Sequence, residues 1–163
     1  NLEPENQETS KKVITSQITE LIDSTRNISH SLYPVNLEKL GLILYLQELV
    51  TSLSNNLNLI LNIDSKYEKK DIFTEVQIYR VIQEFTTNVL KHSNANEVIV
   101  YIRNHRKNLT IILSDNGESF DYQKASKGMG LKNIESRIVS VKGFYKWKNR
   151  IGFGSRLIIN IPN

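Results

Sequence analysis

Apolar residues recur along this chain with two periods, and the changes between them divide it into elements. Over residues 13–33, Ile14, Ile18, Leu21, Thr25, Ile28 and Leu32 stand alternately four and three apart, the spacing of a helix whose seam meets another helix. Tyr33-Pro34 ends that helix, because the residue before a proline is pushed out of the helical region. Asn36 suits the N-cap of a second helix over 37–54. Its apolar positions Leu40, Ile43, Leu44, Leu46 and Leu49 cover much of the circumference, which predicts packing between layers. Leu57, Leu59, Leu61 and Ile63 hold one parity of the segment while Asn58, Ile60 and Asn62 hold the other, the period of a strand. Asp71 can cap a helix over 72–93, with Ile78, Val81, Ile82, Phe85 and Val89 as its buried stripe and Ser93-Asn94-Ala95-Asn96 as its stop.

Two strands follow, over 98–103 and 109–114, joined by a polar turn at 104–108, the pattern of a hairpin. A helix is predicted over 131–141, with Ile134, Ile138 and Val141 facing inward. Residues 143–147 and 156–161 then close the chain as a second hairpin around 149–155. Turns this short exclude the crossover helices of a doubly wound parallel sheet. The predicted class is α+β: a two-layer α/β sandwich, its mixed and mostly antiparallel sheet covered by helices on one face, preceded by a long N-terminal helix.

At 163 residues the chain suits one compact domain with an appendage. Residues 1–12 are polar and read as a frayed lead-in. The longest apolar stretch, 40–50, is interrupted by Gln47 and Glu48 and is too short to span a bilayer. The absence of cysteine excludes disulfides and thiolate metal sites, which fits the cytoplasm. A net charge of +4 does not call for nucleic acid, and the local cluster Lys142, Lys146, Lys148, Arg150 and Arg156 reads as solvated strand faces.

Candidate chemistry lies in three polar signals. Glu84, Asn88 and Lys91 fall at i, i+4 and i+7, so one helix face would carry a carboxylate, an amide and an ammonium. An amide oxygen beside a carboxylate-held water suits magnesium, which prefers oxygen ligands and keeps several waters; Lys91 can neutralise phosphate. An exposed polar helix face would carry the same residues. Asp115 ends a strand, and Asn116-Gly117 turns the chain after it. A buried carboxylate there accepts from an exocyclic amine and repels a carbonyl oxygen, which selects adenine over guanine, although Asp-Asn-Gly is also an ordinary turn. Gly128-Met129-Gly130 precedes a helix, so backbone N–H groups at its terminus can meet phosphate; the P-loop and dinucleotide patterns are absent. Gly152-Phe153-Gly154-Ser155 is a similar glycine turn before the last strand.

Taken in this order, these residues resemble the catalytic ATP-binding domain of bacterial sensor histidine kinases, within the fold shared with gyrase-type ATPases and the heat-shock chaperone of that group. The segment 84–92 is similar to the family's N box, Asp115-Asn116-Gly117 to its adenine box, Gly128-Met129-Gly130-Leu131 to its second glycine box, and Gly152 to Ser155 to its last. The resemblance implies catalytic roles for Glu84, Asn88 and Lys91, and magnesium held by Asn88 with Glu84 acting through a water. It implies an ATP site formed by Asn88, Lys91, His92, Asp115, Gly117, Phe120, Gly128, Met129, Gly130, Leu131, Gly154 and Ser155.

The passage Ile28-Ser-His-Ser-Leu32-Tyr-Pro34, followed by Leu37-Glu-Lys-Leu40-Gly41-Leu42, resembles the short-lid kinases typified by nitrate and membrane-fluidity sensors. Only residues 121–127 separate Phe120 from the glycine box. By this resemblance residues 1–35 are the second helix of a dimerisation domain and 36–163 the ATP-binding domain. The full protein would be a homodimer through that helix. Ser119 and Ser155 stand where glycine and threonine are usual.

That subfamily's phosphoacceptor is a histidine followed by an acidic residue, which can orient the imidazole. Here His30, His92 and His105 are followed by Ser, Ser and Arg, so the chain is expected to begin after the phosphoacceptor helix. The implied function is binding of Mg-ATP and donation of its γ-phosphoryl to a histidine for relay to a response regulator, in the cytoplasm, with no nucleic acid and no membrane segment in this chain. The alternatives are a serine kinase of the anti-sigma-factor type and a non-catalytic dimerisation adaptor.

Overall fold

The computed structural model describes residues 37–118, 129–149 and 154–163. The chain divides into two units, Asn1–Glu38 and Lys39–Asn163, and the elements below build the second. The predicted helix over 13–33, its Tyr33-Pro34 end, the Asn36 cap and His30 lie outside the described residues.

Among the described residues eight elements follow in order: α1 (Leu37–Leu53), β1 (Asn58–Ile63), α2 (Ile72–His92), β2 (Glu97–Asn104), β3 (Asn108–Asp115), α3 (Met129–Ser140), β4 (Phe144–Asn149) and β5 (Ser155–Pro162). The five strands form one sheet in the order β1-β2-β3-β5-β4. Only β1 and β2 pair in parallel, across α2 as the crossover helix, and the other three pairs are antiparallel. The sheet is therefore mixed and mostly antiparallel, as the strand pattern predicts.

Alternation along the strands sets one apolar face. Val98, Val100 and Ile102 on β2, Leu109, Ile111 and Leu113 on β3, and Leu157, Ile159 and Ile161 on β5 are buried. The register lines them up in rows: Val100, Leu113 and Leu157 lead to Trp147 on β4, and Ile102, Ile111 and Ile159 lead to Tyr145. Helices supply the opposite side, with Ile78, Ile82, Phe85 and Val89 from α2 and Leu131, Ile134 and Ile138 from α3. Each such side chain taken fully from water contributes about 1.5–3 kcal/mol. Val141, expected to face inward from the helix, sits just past the end of α3 and is half-buried.

Capping fixes where α2 begins. Asp71 accepts from the Thr74 backbone N–H at 3.0 Å and from Thr74 Oγ1 at 2.6 Å, satisfying donors the first turn leaves unpaired. These bonds hold the Asp71 carboxyl below its usual range. At the other end Ser93 leaves helical geometry, and its backbone N–H donates to the Val89 carbonyl.

α1 corrects one expectation. Its backbone is non-helical at Gly41, where φ is +78°, a value that glycine adopts without steric cost. Burial is also one-sided: Leu42, Tyr45, Leu46 and Leu49 are buried, whereas Leu40, Ile43 and Leu44 are 42%, 37% and 48% exposed. Packing between two layers would bury both faces, and here one face is left partly exposed. Tyr45 meets Tyr79 of α2 edge-on, ring centroids 5.0 Å apart, and Arg80 lies 5.8 Å from the Tyr79 ring centre. Burial lowers the Arg80 guanidinium from its usual value and raises both phenols.

Among the described residues no helix is long and apolar enough to cross a membrane. Lys146, Lys148 and Arg156 are exposed on β4 and β5, as solvated strand faces require, whereas Lys142 is exposed in the turn after α3; Arg150 lies outside the described residues.

Candidate nucleotide site

At one end of the sheet the C-terminus of β3, Trp147 of β4, the last two turns of α2 and the first turn of α3 surround a cavity of about 360 Å³. Its lining is Phe85, Asn88, Val89, His92, Ser93, Asp115, Met129, Gly130, Leu131 and Trp147. Apolar walls with a few convergent polar groups are the usual make-up of a small-molecule site.

Asp115 is the most constrained polar group in it. The residue is 6% exposed and accepts three hydrogen bonds from the described residues. The Gly117 N–H donates to Oδ1 at 2.8 Å, Ser93 Oγ donates to the same oxygen at 3.2 Å, and the Ser155 N–H donates to Oδ2 at 3.0 Å. A carboxylate offers about four acceptor positions, so the three donors fix its plane and leave it capacity for one more. Asn116 secures the turn: its Oδ1 accepts from the Asn96 and Glu97 N–H groups at 3.1 and 3.0 Å. The strand end is thereby tied to the junction between α2 and β2.

Two glycines bring backbone close to these groups. Gly154 has φ +75°, and a Cβ there would collide with the Asp115 carbonyl. The backbone of β5 can therefore reach Asp115 Oδ2 only with glycine preceding Ser155. A Cβ at Gly130 would lie 2.6 Å from Glu84 Oε1 and 3.0 Å from Asn88 Oδ1. Those two oxygens converge on the first turn of α3 from α2, as their i, i+4 spacing predicts.

The predicted site residues divide in four. Asn88, His92, Asp115, Met129, Gly130 and Leu131 line the cavity. Glu84 joins them through Gly130, while Gly154 and Ser155 join through Asp115. Lys91 is exposed and is not among the lining residues, and Gly117 serves Asp115 and packs against Ser93 and Ala95. Phe120, Gly128, Gly152, Phe153 and the 121–127 segment lie outside the described residues.

Four lining residues were not anticipated as such. Phe85 and Val89 belong to the apolar stripe of α2, Trp147 falls at the end of a predicted hairpin strand, and Ser93 reads as a helix stop. Ser93 alone carried a usable signal, since it directly follows His92 at the end of the polar ridge.

The donor set is compatible with a nucleotide. Ser155, whose N–H holds Asp115, has a fully buried Oγ with no hydrogen-bond partner among the described residues, and a water or a ligand group would satisfy such an atom. Glu84 and Asn88 present oxygen, which suits magnesium. Among the described residues no group of three His, Cys, Asp or Glu side chains could hold a metal ion unaided, so such an ion would take its remaining ligands from phosphate and water.

Comparison with known proteins agrees in sequence and in fold. Residues 73–163 match the family described as histidine kinase-, DNA gyrase B- and HSP90-like ATPase. The chain is 29% identical over 153 residues to the sensor histidine kinase ComP of Bacillus subtilis (strain 168), covering 91% of this chain and 20% of ComP. It is 28% identical over 155 residues to the signal transduction histidine-protein kinase/phosphatase DegS of Brevibacillus brevis, covering 93% of this chain and 39% of DegS. The chain thus spans less than half the length of either relative. Among solved structures, the Acinetobacter baumannii histidine kinase AdeS superposes with a TM-score of 0.62 at 17% identity, covering 99% of this chain and 86% of that one. The histidine kinase domain of the Erythrobacter litoralis EL346 blue-light activated kinase gives 0.59 at 17% identity, covering 74% of this chain and 60% of that one. At these identities the structures establish the fold.

Proposed function

The chain belongs to the histidine kinase-, DNA gyrase B- and HSP90-like ATPase family, and from that premise we propose that it binds Mg-ATP and donates the γ-phosphoryl group to a histidine, for relay to a response regulator. The observation that carries the reading is the Asp115 cradle: a buried carboxylate held by three donors, with one acceptor position left, at the end of an apolar cavity. Such a group takes the adenine amine and opposes a carbonyl oxygen in its place.

In this reading Asn88 and Glu84 hold the triphosphate end of the site beside Gly130, and Lys91 reaches phosphate from the same helix. Magnesium bound by the Asn88 oxygen, with Glu84 acting through a water, would supply charge neutralisation on the triphosphate. An imidazole nitrogen of the acceptor histidine forms the new bond to the γ-phosphorus as the bond to the β–γ bridging oxygen breaks, and ADP leaves. The chain's contribution is positioning and electrostatics. The acceptor histidine is assigned to a helix outside this chain, because His30, His92 and His105 lack an acidic neighbour. Residues 1–35 are assigned to the second helix of a dimerisation domain and 36–163 to the ATP-binding domain, working in the cytoplasm as part of a homodimer.

Calorimetry on Asn88→Ala tests the site. Mg-ATP binding should be abolished or weakened by at least tenfold while circular dichroism and the melting curve stay close to those of the parent chain. Unchanged Mg-ATP affinity in a folded Asn88→Ala protein would refute the assignment.

A further inference from the structure

One wall of the cavity is a residue that the polar motifs do not contain. The row Val100, Leu113, Leu157 ends in register at Trp147 on β4, the strand at one edge of the sheet. An aliphatic side chain would complete the row. The indole instead lies against Phe85 of α2, ring centroids 6.1 Å apart and planes 19° from parallel, and both rings line the cavity that holds Asp115. Phe85 is buried whereas Trp147 is only half-buried.

Recognition of a flat heteroaromatic base needs an edge contact and a face contact. Asp115 offers the edge contact and is poor at the second task, since a carboxylate gains nothing from a π-face. The apolar lining, Phe85, Val89, Leu131 and Trp147, offers the face contact. Within it Trp147 combines the largest aromatic surface with incomplete burial.

We infer that Trp147 is a base-contacting residue, the aromatic face on which the nucleotide base packs while Asp115 reads its edge. The inference rests on the nucleotide reading above and adds a division of labour to it. Stacking is tolerant of base identity, because every base has a π-face. The indole therefore sets affinity for the nucleoside end in general, and Asp115 sets which base is accepted.

Trp147 is the chain's one tryptophan, so its emission reports on this wall alone. The test uses the full 163-residue chain with ADP and Mg-ATP as probes, read by calorimetry and by indole fluorescence, in the parent and in Trp147→Leu and Trp147→Phe. ADP should shift or quench the emission saturably, at the concentration at which calorimetry reports binding. Trp147→Leu should weaken ADP and Mg-ATP by the same factor, about tenfold for a lost stacking contact. Trp147→Phe should recover most of that factor, which a merely structural indole would not require.

The inference is overturned if ADP binds the parent chain with the emission unchanged. It is equally overturned if a cooperatively melting Trp147→Leu protein binds ADP as tightly as the parent. Should Trp147→Leu fail to fold, the parent's emission and the Trp147→Phe affinity decide the matter. Absence of any ADP binding to the parent is a different failure, one that removes the nucleotide reading itself.

Discussion

Replacing Asp115 by asparagine exchanges one oxygen for an NH₂ group and puts the cradle under direct test. The side chain accepts from Gly117 N–H and Ser93 Oγ on one oxygen and from Ser155 N–H on the other. An amide has one oxygen and one NH₂, so it cannot serve both sides. The better orientation keeps the oxygen toward Gly117 and Ser93, which sets the NH₂ against the Ser155 N–H. Ser155 is 1% exposed, so no bulk water relieves that donor. A buried donor left unpaired costs about 1–3 kcal/mol, or roughly 2–10 °C in melting temperature for a domain of this size. Binding changes as well, because the atom facing the base on the Ser155 side turns from acceptor to donor. Loss of a carboxylate hydrogen bond to the adenine amine, about 1.5–3 kcal/mol, weakens ATP roughly 10- to 150-fold and shifts preference toward GTP, whose carbonyl oxygen now meets a donor. Thermal melts and calorimetry with both nucleotides measure the two effects. A variant that melts with the parent and keeps the parent's ATP-to-GTP ratio would show that the three donors do not define the site.

Gly154→Ala should lower stability by more than the roughly 1 kcal/mol typical of a point substitution, since it meets both an unfavourable φ and the Asp115 carbonyl; ATP binding should fall with it, as read by melts and calorimetry. Asp71→Ala should cost about 1 kcal/mol in urea titrations through loss of the α2 cap. Hydrogen bonds from Thr74 depress the Asp71 carboxyl in the folded state, so its stabilisation is present above the unfolded value and disappears as pH falls through the folded one. The gap between parent and Asp71→Ala should accordingly close in acid. Tyr67 donates to Glu75 Oε1 at 3.0 Å, and burial, reinforced by the Glu75 charge, pushes its phenol well above the ordinary tyrosine range. Stability held by that neutral phenol is complete below the unfolded value of about 10 and is lost as pH rises beyond it. Tyr67→Phe should flatten this alkaline decline while costing about 1–3 kcal/mol at neutral pH, because Glu75 is fully buried with Oε2 already lacking a partner.

How much of this was legible depends on whether the signal was local. The strand ends and the start of α2 were, because alternation and a cap are properties of a few adjacent residues: Asp71 sits where its side chain can reach Thr74 N, and the structure uses it so. The environment of α1 was not. Leu40, Ile43 and Leu44 read as core from hydrophobicity alone, but burial depends on which elements arrive on that side. The site divides on the same line. Asn88, Asp115 and Gly130 were visible because chemistry of that kind needs those residue types. Phe85, Val89 and Trp147 were invisible because a core residue and a cavity-lining residue have the same pattern, and only the packing leaves one of them facing space.

The cavity has a cause that no single motif states. Along β3 the inward positions run Leu109, Ile111, Leu113 and then Asp115; along β5 they run Ile161, Ile159, Leu157 and then Ser155. α2 passes from Ile78, Ile82, Phe85 and Val89 to Ser93, and α3, read toward its start, from Ile138, Ile134 and Leu131 to Gly130. Four elements change from large apolar to small or polar at the same end of the core. Packing at protein density leaves few voids larger than a water, so a cavity of this size requires such coordinated truncation. The hydrogen bonds around Asp115 then keep the polar groups left there from closing on one another in other ways. The candidate nucleotide site is thus the last layer of the core with its side chains shortened, which is why it lies beside Trp147 and Phe85 and why the residues that empty it matter as much as those that would touch a ligand.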